Sequence, residues 1–331
     1  MNRLITYGSV EAIPFYNCSW KSSEEWWATG VQRAWLGIPT VILGVFFEFL
    51  YIPVVYIIFN TRLIKYPCYK IIVMLAIVDM IAILTSCIIT GVFLTQGAVF
   101  CNYPTFIYFL GSFGTANWAI SCAITVSLFS NRIVSIAFKE YADEIEKKLA
   151  YSCMALCVIY FLFFLFFTPP LSYNSNMMAW IPNPLSEPEP SREASEWYYN
   201  GALPINNMVY IGLMFFLFTL YYLLVKKLAK GQTCKASRQI FIQCCIICFF
   251  NTSTAVVYCA LNYITPNFYI LLFVQIAWSI SHGVPGFVYV TMNETIRREF
   301  KKMFCGRMSA HRIDEKRSSV ANLNSISNTR H

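Results

Sequence analysis

The chain alternates between long apolar runs and short polar segments. Seven runs of 20 to 26 residues are almost free of charged side chains, and each is close to the ~20 residues that cross a hydrocarbon core as a helix. In lipid only helices and closed barrels satisfy the backbone, and these runs lack the alternation of barrel strands. The pattern predicts an all-α membrane protein, a seven-transmembrane helix bundle. Its predicted spans are residues 35–59, 71–95, 105–130, 149–168, 204–225, 240–262 and 268–292.

Composition agrees with this reading. Hydrophobic residues make up 57% of the chain and charged residues 13%, whereas about 25% charged is usual in soluble domains. This fraction of charged residues is too small to cover the surface of a soluble protein. The predicted division is an extracellular amino-terminal segment at 1–34, the bundle at 35–292, a membrane-surface helix at 293–305 and a disordered cytoplasmic tail at 306–331.

The basic residues are unevenly divided between the two sides of the predicted bundle. Of 25 lysines and arginines, 21 fall in the segments that would share one side, and the other four are Arg3, Lys21, Arg33 and Arg192. Because cytoplasmic loops retain basic residues, the amino terminus is predicted outside and the carboxyl terminus inside, as in a multi-pass plasma-membrane protein. The net charge of +8 then reflects topology. The basic face is expected to meet anionic membrane lipid or a cytosolic partner, and nucleic acid is a poor candidate.

Past the seventh run, Ile296, Phe300 and Phe304 recur at helical spacing opposite interleaved basic residues. Such an amphipathic eighth helix lies along a membrane surface. Cys305 follows it, either as a palmitoylation site or as a free thiol.

The cysteines and one sequon predict chemistry on the outer side. Of thirteen cysteines most fall inside spans, where they serve as small packing residues. Cys18 and Cys101 lie on the oxidising side and form the predicted disulfide, since the outer segment at 169–203, a loop or lid, has no cysteine. Asn17 opens a glycosylation sequon there, whereas the sequons at Asn251 and Asn293 would lie in the membrane and the cytosol.

Several polar residues fall at membrane depth, about 14–17 Å from the inner ends of their spans. Intramembrane charges are costly and usually face a bundle interior. Asp79 in the second run is therefore predicted to be ringed by Asn117, Ser121 and Ser281. This cluster either holds a sodium ion or water, or holds a protonated carboxyl, or is a hydrogen-bonded core group without an ion. No other cofactor is predicted.

Glu48 and His282 lie at similar depth. Glu48 is expected to be neutral and hydrogen-bonded between helices, and His282 is either a satisfied core group or a ligand contact. An alternative function, a channel or transporter, would use Glu48, Asp79 and His282 as an intramembrane pathway. It lacks the duplicated halves typical of transporters.

Aromatic and polar residues in the outer halves of two spans predict a ligand pocket for a small organic molecule. The competing interpretation is ordinary aromatic packing in a chain that is 17% aromatic. The predicted pocket residues are Tyr108, Phe109 and Ser112 of the third span and Gln275, Trp278 and His282 of the seventh.

Arg132 closes the third span, where it either snorkels to lipid phosphate or rearranges to receive a cytosolic partner. Its neighbour Asn131 supplies no carboxylate. Pro285, between Gly283 and Gly286, permits a kink that suits either a moving helix or a static bend.

Seven short segments, in this order and spacing, resemble the nematode serpentine receptor class T (Srt) family of chemoreceptors from about residue 16 to 304. They are Tyr16-Asn17-Cys18-Ser19, Cys68-Tyr69-Lys70-Ile71 through Asp79, Cys101-Asn102-Tyr103-Pro104, Phe167-Thr168-Pro169-Pro170, Gln239-Ile240-Phe241-Ile242-Gln243, Phe249-Phe250-Asn251 and Gln275-Ile276-Ala277-Trp278-Ser279-Ile280-Ser281-His282-Gly283.

The resemblance implies a receptor like the G-protein-coupled receptors, which binds a small-molecule cue and signals to a heterotrimeric G protein in a sensory neuron, including its cilia. By the same analogy Asp79, Asn117, Ser121 and Ser281 match positions that hold sodium in rhodopsin-like receptors, and Arg132 matches the arginine that contacts the G protein. The chain departs from that pattern at Asn131, where an acidic residue is usual. It also departs at Tyr289, which follows Pro285 one residue later than the tyrosine of the usual motif.

Enzyme activity is not predicted. The chain has three histidines, His282, His311 and His331, two of them in the tail. No metalloprotease, phosphate-loop or dinucleotide motif occurs in it.

Overall fold

A computed structural model of the protein describes residues 1–137, 142–185, 191–228, 235–261, 263–264 and 267–306. Within these ranges it has seven helices that are long and apolar enough to cross a membrane, which confirms the predicted seven-span bundle. They are called the first to seventh spans: Ala34–Asn60, Pro67–Gln96, Pro104–Ala137, Ala142–Phe167, Ala202–Leu228, Lys235–Ala260 and Phe268–Met292. The end of the bundle that carries the amino terminus is called the amino-terminal end.

Local sequence fixes several helix ends. Pro67 and Pro104 begin the second and third spans, at the first helical position, where the missing N–H of proline costs nothing. Asn267 caps the seventh span by accepting from the backbone N–H of Ile270 at 3.0 Å. Asn293 ends that span and caps the next helix, accepting from the backbone N–H of Ile296 at 3.2 Å.

The second span is interrupted by a π-helical segment, Leu84–Ile89, which the apolar pattern did not predict. A wider π turn shifts the backbone hydrogen bonds by one residue and changes which groups face the bundle. Thr90 Oγ1 donates to the carbonyl of Thr85 at 2.7 Å, and the carbonyl of Ser86 accepts from Gln275 Nε2 at 2.8 Å. The interruption therefore joins the second span to the seventh.

Glycines allow close approach between elements, as at Gly283 and Gly111. A Cβ on Gly283 would lie 2.2 Å from a ring carbon of Phe47, so the seventh span packs directly on an aromatic ring of the first. A Cβ on Gly111 would lie 1.7 Å from the carbonyl oxygen of Leu171. Small residues at such positions let helices and loops touch through their backbones.

The amino-terminal segment folds over its end of the bundle through two short helices, Asn2–Tyr7 and Ser23–Thr29. Ser22 and Glu25 form a capping box, and the backbone N–H of Ser22, which donates to Glu25, lowers the pKa of that carboxyl. Tyr16 is fully buried, and this burial raises the pKa of its hydroxyl. A disulfide joins Cys18 to Cys101, just before the third span.

The outer segment at 169–203, predicted as a loop or lid, contains regular structure. Strands Ser172–Asn174 and Ala179–Ile181 pair antiparallel, with Tyr173 opposite Trp180, and helix Arg192–Tyr198 follows. We call the two strands the hairpin. Trp180 Nε1 donates to Thr90 Oγ1 of the second span at 2.9 Å, which ties the hairpin to the bundle.

A short helix, Glu294–Lys301, follows the seventh span and leads into a π-helical turn, Lys302–Gly306. Ile296 is fully buried, and Phe304 contacts Phe49 of the first span with ring centroids 5.5 Å apart. A helix therefore follows the seventh span, and its position along a membrane surface stays a prediction. The side chain of Cys305 and residues 307–331, with the predicted palmitoylation and tail, lie outside the described residues.

We expect Cys18→Ser, Cys101→Ser and the double variant to lower the melting temperature of the purified protein by the same amount. All three break one cross-link that closes 83 residues of sequence, and such bonds contribute about 2–4 kcal/mol. Differential scanning fluorimetry measures the shift. Additive losses in the double variant would show that the two cysteines act separately.

Candidate functional site

A cavity of about 320 Å³ lies at the amino-terminal end, between the third, fifth, sixth and seventh spans and the hairpin. Its volume is at the lower end of the roughly 300–1,000 Å³ typical of small-molecule pockets. Five aromatic side chains contribute to its wall: Trp118, Trp180, Tyr199, Tyr258 and Trp278.

One face of the third span lines this cavity. It carries Gly111, Gly114, Thr115 and Trp118, which recur at helical spacing. The two glycines have no side chain, so they leave room inside the wall. The nearest atom to a Cβ on Gly114 would be Cη2 of Trp278, at 3.7 Å. The absent side chains thus help to create the space and bring the seventh-span indole close to the third span.

Two of the six predicted pocket residues, Gln275 and Trp278, line the cavity. The other four lie elsewhere. Tyr108 is buried against Tyr16, with ring centroids 5.5 Å apart, and Ser112 donates to the backbone carbonyl of Tyr108 at 2.9 Å. Phe109 is 37% exposed, on the outer surface of the bundle.

His282 lies beneath the cavity. Its ring centroid is 6.0 Å from that of Trp118 and 6.4 Å from that of Trp278. The sequence analysis did not select Trp118 or the fifth-span residue Asn207 as pocket residues. The two glycines that lie one and two turns before Trp118, on the same face of the helix, are the signal that indicates Trp118. Asn207 Oδ1 accepts from Trp118 Nε1 at 2.7 Å, which links the fifth span to the third.

Three buried polar side chains meet in the core below the cavity. Asp79 Oδ1 lies 2.7 Å from His282 Nδ1, and the Tyr51 hydroxyl donates toward Asp79 Oδ2 at 2.8 Å and toward the carbonyl of His282 at 2.7 Å. Each of the three residues is at most 1% exposed. We call this set, which joins the first, second and seventh spans, the polar core.

The other residues predicted around Asp79 do not bond to it. Ser281 Oγ donates to the carbonyl of Trp278 at 2.8 Å, and Asn117 Nδ2 and Ser121 Oγ are buried without a partner among the described residues. The sodium or water cluster stays a prediction. Both carboxylate oxygens of Asp79 have protein partners, and one of those is an imidazole nitrogen.

Glu48 does not join the polar core. It is half-buried and makes no hydrogen bond within the described part of the chain, so the expected hydrogen bond between helices is not found there. Asp79 and His282, by contrast, are in direct contact. Of the three residues that an intramembrane pathway would use, the structure brings two together.

Arg132 is 8% exposed rather than extended to a lipid surface, which contradicts the snorkelling interpretation. Its guanidinium nitrogen Nη2 contacts Oδ1 of Asn131 and lies 3.3 Å from Glu146 Oε2 of the fourth span. The carboxylate that Asn131 lacks is thus supplied by another helix. The sequence analysis did not select Glu146, because it is one of four acidic residues between the third and fourth predicted spans, where charged side chains are expected to face water.

Two comparisons with known proteins match this chain. The family model described as serpentine type 7TM GPCR chemoreceptor Srt matches residues 3–313. The chain is also similar to serpentine receptor class T-55 of Caenorhabditis elegans, with 23% identity over 296 residues, which cover 86% of this chain and 79% of that protein.

We expect Tyr51→Phe to lower the melting temperature of the purified protein measurably. It removes the hydroxyl between Asp79 and the His282 carbonyl, and a buried polar group that loses its partner costs about 1–3 kcal/mol. Tyr56→Phe is the matched control, since Tyr56 lies on the same helix but is 55% exposed. Equal melting temperatures for the two variants would show that the polar core does not stabilise the bundle.

Proposed function

The chain belongs to the serpentine type 7TM GPCR chemoreceptor family Srt, and from that premise we propose that it is a chemosensory receptor of the plasma membrane. A small-molecule cue binds in the cavity at the outer, amino-terminal end. A heterotrimeric G protein binds at the opposite, cytoplasmic end. The uneven division of basic residues supports this orientation.

The single observation that carries the proposal is the contact between the cavity wall and the polar core. Trp118 and Trp278 line the cavity, and both rings lie against His282, which pairs with Asp79. A molecule that displaces either indole changes the packing of His282, and therefore the contacts among the first, second and seventh spans. Packed cores respond to such shifts between discrete arrangements rather than by continuous deformation.

The pair formed by Arg132 and Glu146 supports a resting arrangement at the cytoplasmic end. A buried charge without a partner is costly, so the arginine stays with Glu146 until another group replaces it. In the proposed cycle, the ligand favours a helix arrangement in which Arg132 leaves Glu146 and contacts the G protein. Glu146 therefore takes the part of the acid that is usual at the position of Asn131.

A channel or transporter is the second candidate, favoured by the direct contact of Asp79 with His282. Proton or ion flux in proteoliposomes without a G protein would support it. The family is one of receptors, and nothing in the residues described points to catalysis.

The proposal is tested with the purified receptor reconstituted in nanodiscs with a panel of heterotrimeric G proteins. We expect at least one ligand to accelerate the release of GDP from one G protein. Substitution of Gly114 by Trp, which places an indole in the cavity, is expected to abolish this response without preventing expression. A folded receptor that accelerates GDP release from none of the G proteins with any ligand would contradict the proposal.

We expect Glu146→Gln to raise basal GDP release roughly fivefold or more, because the partner that holds Arg132 loses its charge and coupling free energies are about 1–3 kcal/mol. Arg132→Ala is expected to reduce the ligand-stimulated signal per surface receptor. Glu144→Gln is the matched control, as Glu144 pairs with Lys148 on an exposed surface. Basal activity of Glu146→Gln no higher than that of Glu144→Gln would count against the resting pair.

A further inference from the structure

The cavity wall carries no formal charge. None of the lining residues that the structure describes is Asp, Glu, Lys, Arg or His. The basic residue Arg33 instead bonds to the carbonyl of Ser175 and lies over the ring of Phe268, 5.8 Å from its centroid. A charged molecule that entered would lose its hydration and gain no counter-charge, which is strongly unfavourable. The wall therefore selects for uncharged molecules.

Most hydrogen-bonding groups of the wall are already engaged. Thr115 Oγ1 donates to the carbonyl of Gly111 at 2.8 Å. Asn200 uses both ends of its amide, since its Nδ2 donates to the carbonyl of Pro169 at 2.8 Å and its Oδ1 accepts from the backbone N–H of Leu203 at 3.2 Å. Trp118 and Trp180 donate their indole N–H groups to Asn207 and Thr90. These groups shape the wall and have little left to offer a ligand.

Asn207, unlike those groups, keeps a free donor, and two hydrogen bonds fix the orientation of its amide. Its Oδ1 accepts from Trp118 Nε1 at 2.7 Å and from Asn206 Nδ2 at 3.1 Å. Its Nδ2 donates to no described residue. Because the oxygen is held by both neighbours, the amide cannot turn over without losing two hydrogen bonds, and the nitrogen stays available as a donor.

Gln275 offers the complementary group. Its Nε2 donates to the carbonyl of Ser86 at 2.8 Å, in the π-helical segment of the second span. This bond fixes which end of the amide is nitrogen, and it leaves Oε1 without a hydrogen bond among the described residues. Of the two wall amides, Asn207 thus keeps a free donor and Gln275 a free acceptor, while Trp278 Nε1 is a further donor without a partner among the described residues.

We propose that the cavity binds an uncharged, largely apolar molecule with one neutral oxygen function, such as an alcohol or an ester, whose oxygen accepts from Asn207 Nδ2. A hydroxyl group can in addition donate to Gln275 Oε1. The aromatic wall surrounds the hydrocarbon part, and the volume of about 320 Å³ limits the ligand to a small molecule. The inference rests on the proposed function, since it names the ligand class of the same cavity.

The test uses five probes that share a cyclohexane ring with one attached carbon, to which the ester adds an O-methyl group: cyclohexylmethanol, methyl cyclohexanecarboxylate, methylcyclohexane, cyclohexanecarboxylate and cyclohexylmethylammonium. Binding to the purified full-length receptor in nanodiscs is measured as the rise in melting temperature with probe concentration. We expect the alcohol and the ester to bind best. The hydrocarbon is expected to bind more weakly, and the carboxylate and the ammonium at least about tenfold more weakly than the alcohol.

The inference is overturned if the carboxylate or the ammonium binds as tightly as the alcohol. It is also overturned if neither oxygen-bearing neutral probe raises the melting temperature up to its solubility limit. Both outcomes are measured on the receptor without substitutions, so they do not depend on whether any variant folds.

Asn207→Asp tests the donor itself. The substitution keeps an acceptor for Trp118 Nε1 and Asn206 Nδ2, but replaces the free amide nitrogen by a carboxylate oxygen. We expect the alcohol and the ester to lose at least about tenfold in affinity and the ammonium to gain. Asn2→Asp is the control. It makes the same change of side chain at an exposed position on the helix Asn2–Tyr7, away from the cavity wall.

If the Asn207→Asp variant ranks the probes in the same order of affinity as the unmodified receptor, the assignment of Asn207 as the donor is wrong.

A GDP-release assay on the same samples separates this inference from the proposed function. Selective binding of neutral probes with no response from any G protein would retain the inference and remove the proposed function. A G-protein response to a charged ligand that Gly114→Trp abolishes would retain the proposed function and remove the inference.

Discussion

A hydrocarbon layer offers no hydrogen-bond partner, so the polar side chains of the seven spans have to satisfy one another across helix boundaries. Three such contacts join helices in the interior of the bundle. The polar core joins the first, second and seventh spans, Trp118 with Asn207 joins the third and fifth, and Gln275 with the Ser86 carbonyl joins the second and seventh. The bonds that hold the helices together also set the orientation of the amides in the cavity wall.

The amino-terminal end of the bundle is built by segments that are far apart in sequence. The disulfide anchors the amino-terminal segment beside the third span, while Gly111 admits the backbone of Leu171 and Trp180 reaches Thr90. The hairpin is therefore fixed to the second and third spans by contacts on both sides. Its position shapes the cavity because Trp180 forms part of the wall.

The two ends of the bundle differ in the kind of interaction that they use. At the amino-terminal end, aromatic rings and neutral amides surround the cavity, and His282 below it contacts the rings of Trp118 and Trp278. At the opposite end, the buried ion pair of Arg132 and Glu146 joins the third and fourth spans. A buried ion pair contributes little to net stability but is costly to break on one side only. It therefore suits a contact that changes partner rather than one that holds the fold.

The number of spans, their approximate positions and the family resemblance follow from the sequence alone, because apolar length and order of motifs are properties of the chain. The seventh span even has the predicted bounds, 268–292, since Asn267 and Asn293 stop it on both sides. Helical period and depth also marked Asp79, His282, Gln275 and Trp278 as candidate residues. What these properties leave open is the rotation of each helix about its axis and the partner that each polar group finds.

Tertiary structure decided those points. Phe109 lies on the outer surface and Trp118 in the cavity wall because the packing of the third span, not its composition, selects the buried face. Asp79 takes His282 and Tyr51 as partners instead of Asn117 and Ser121, and Arg132 takes Glu146 from outside the predicted spans. A partner on another helix depends on distances between residues up to 231 positions apart, and no local pattern in a single sequence encodes such a distance.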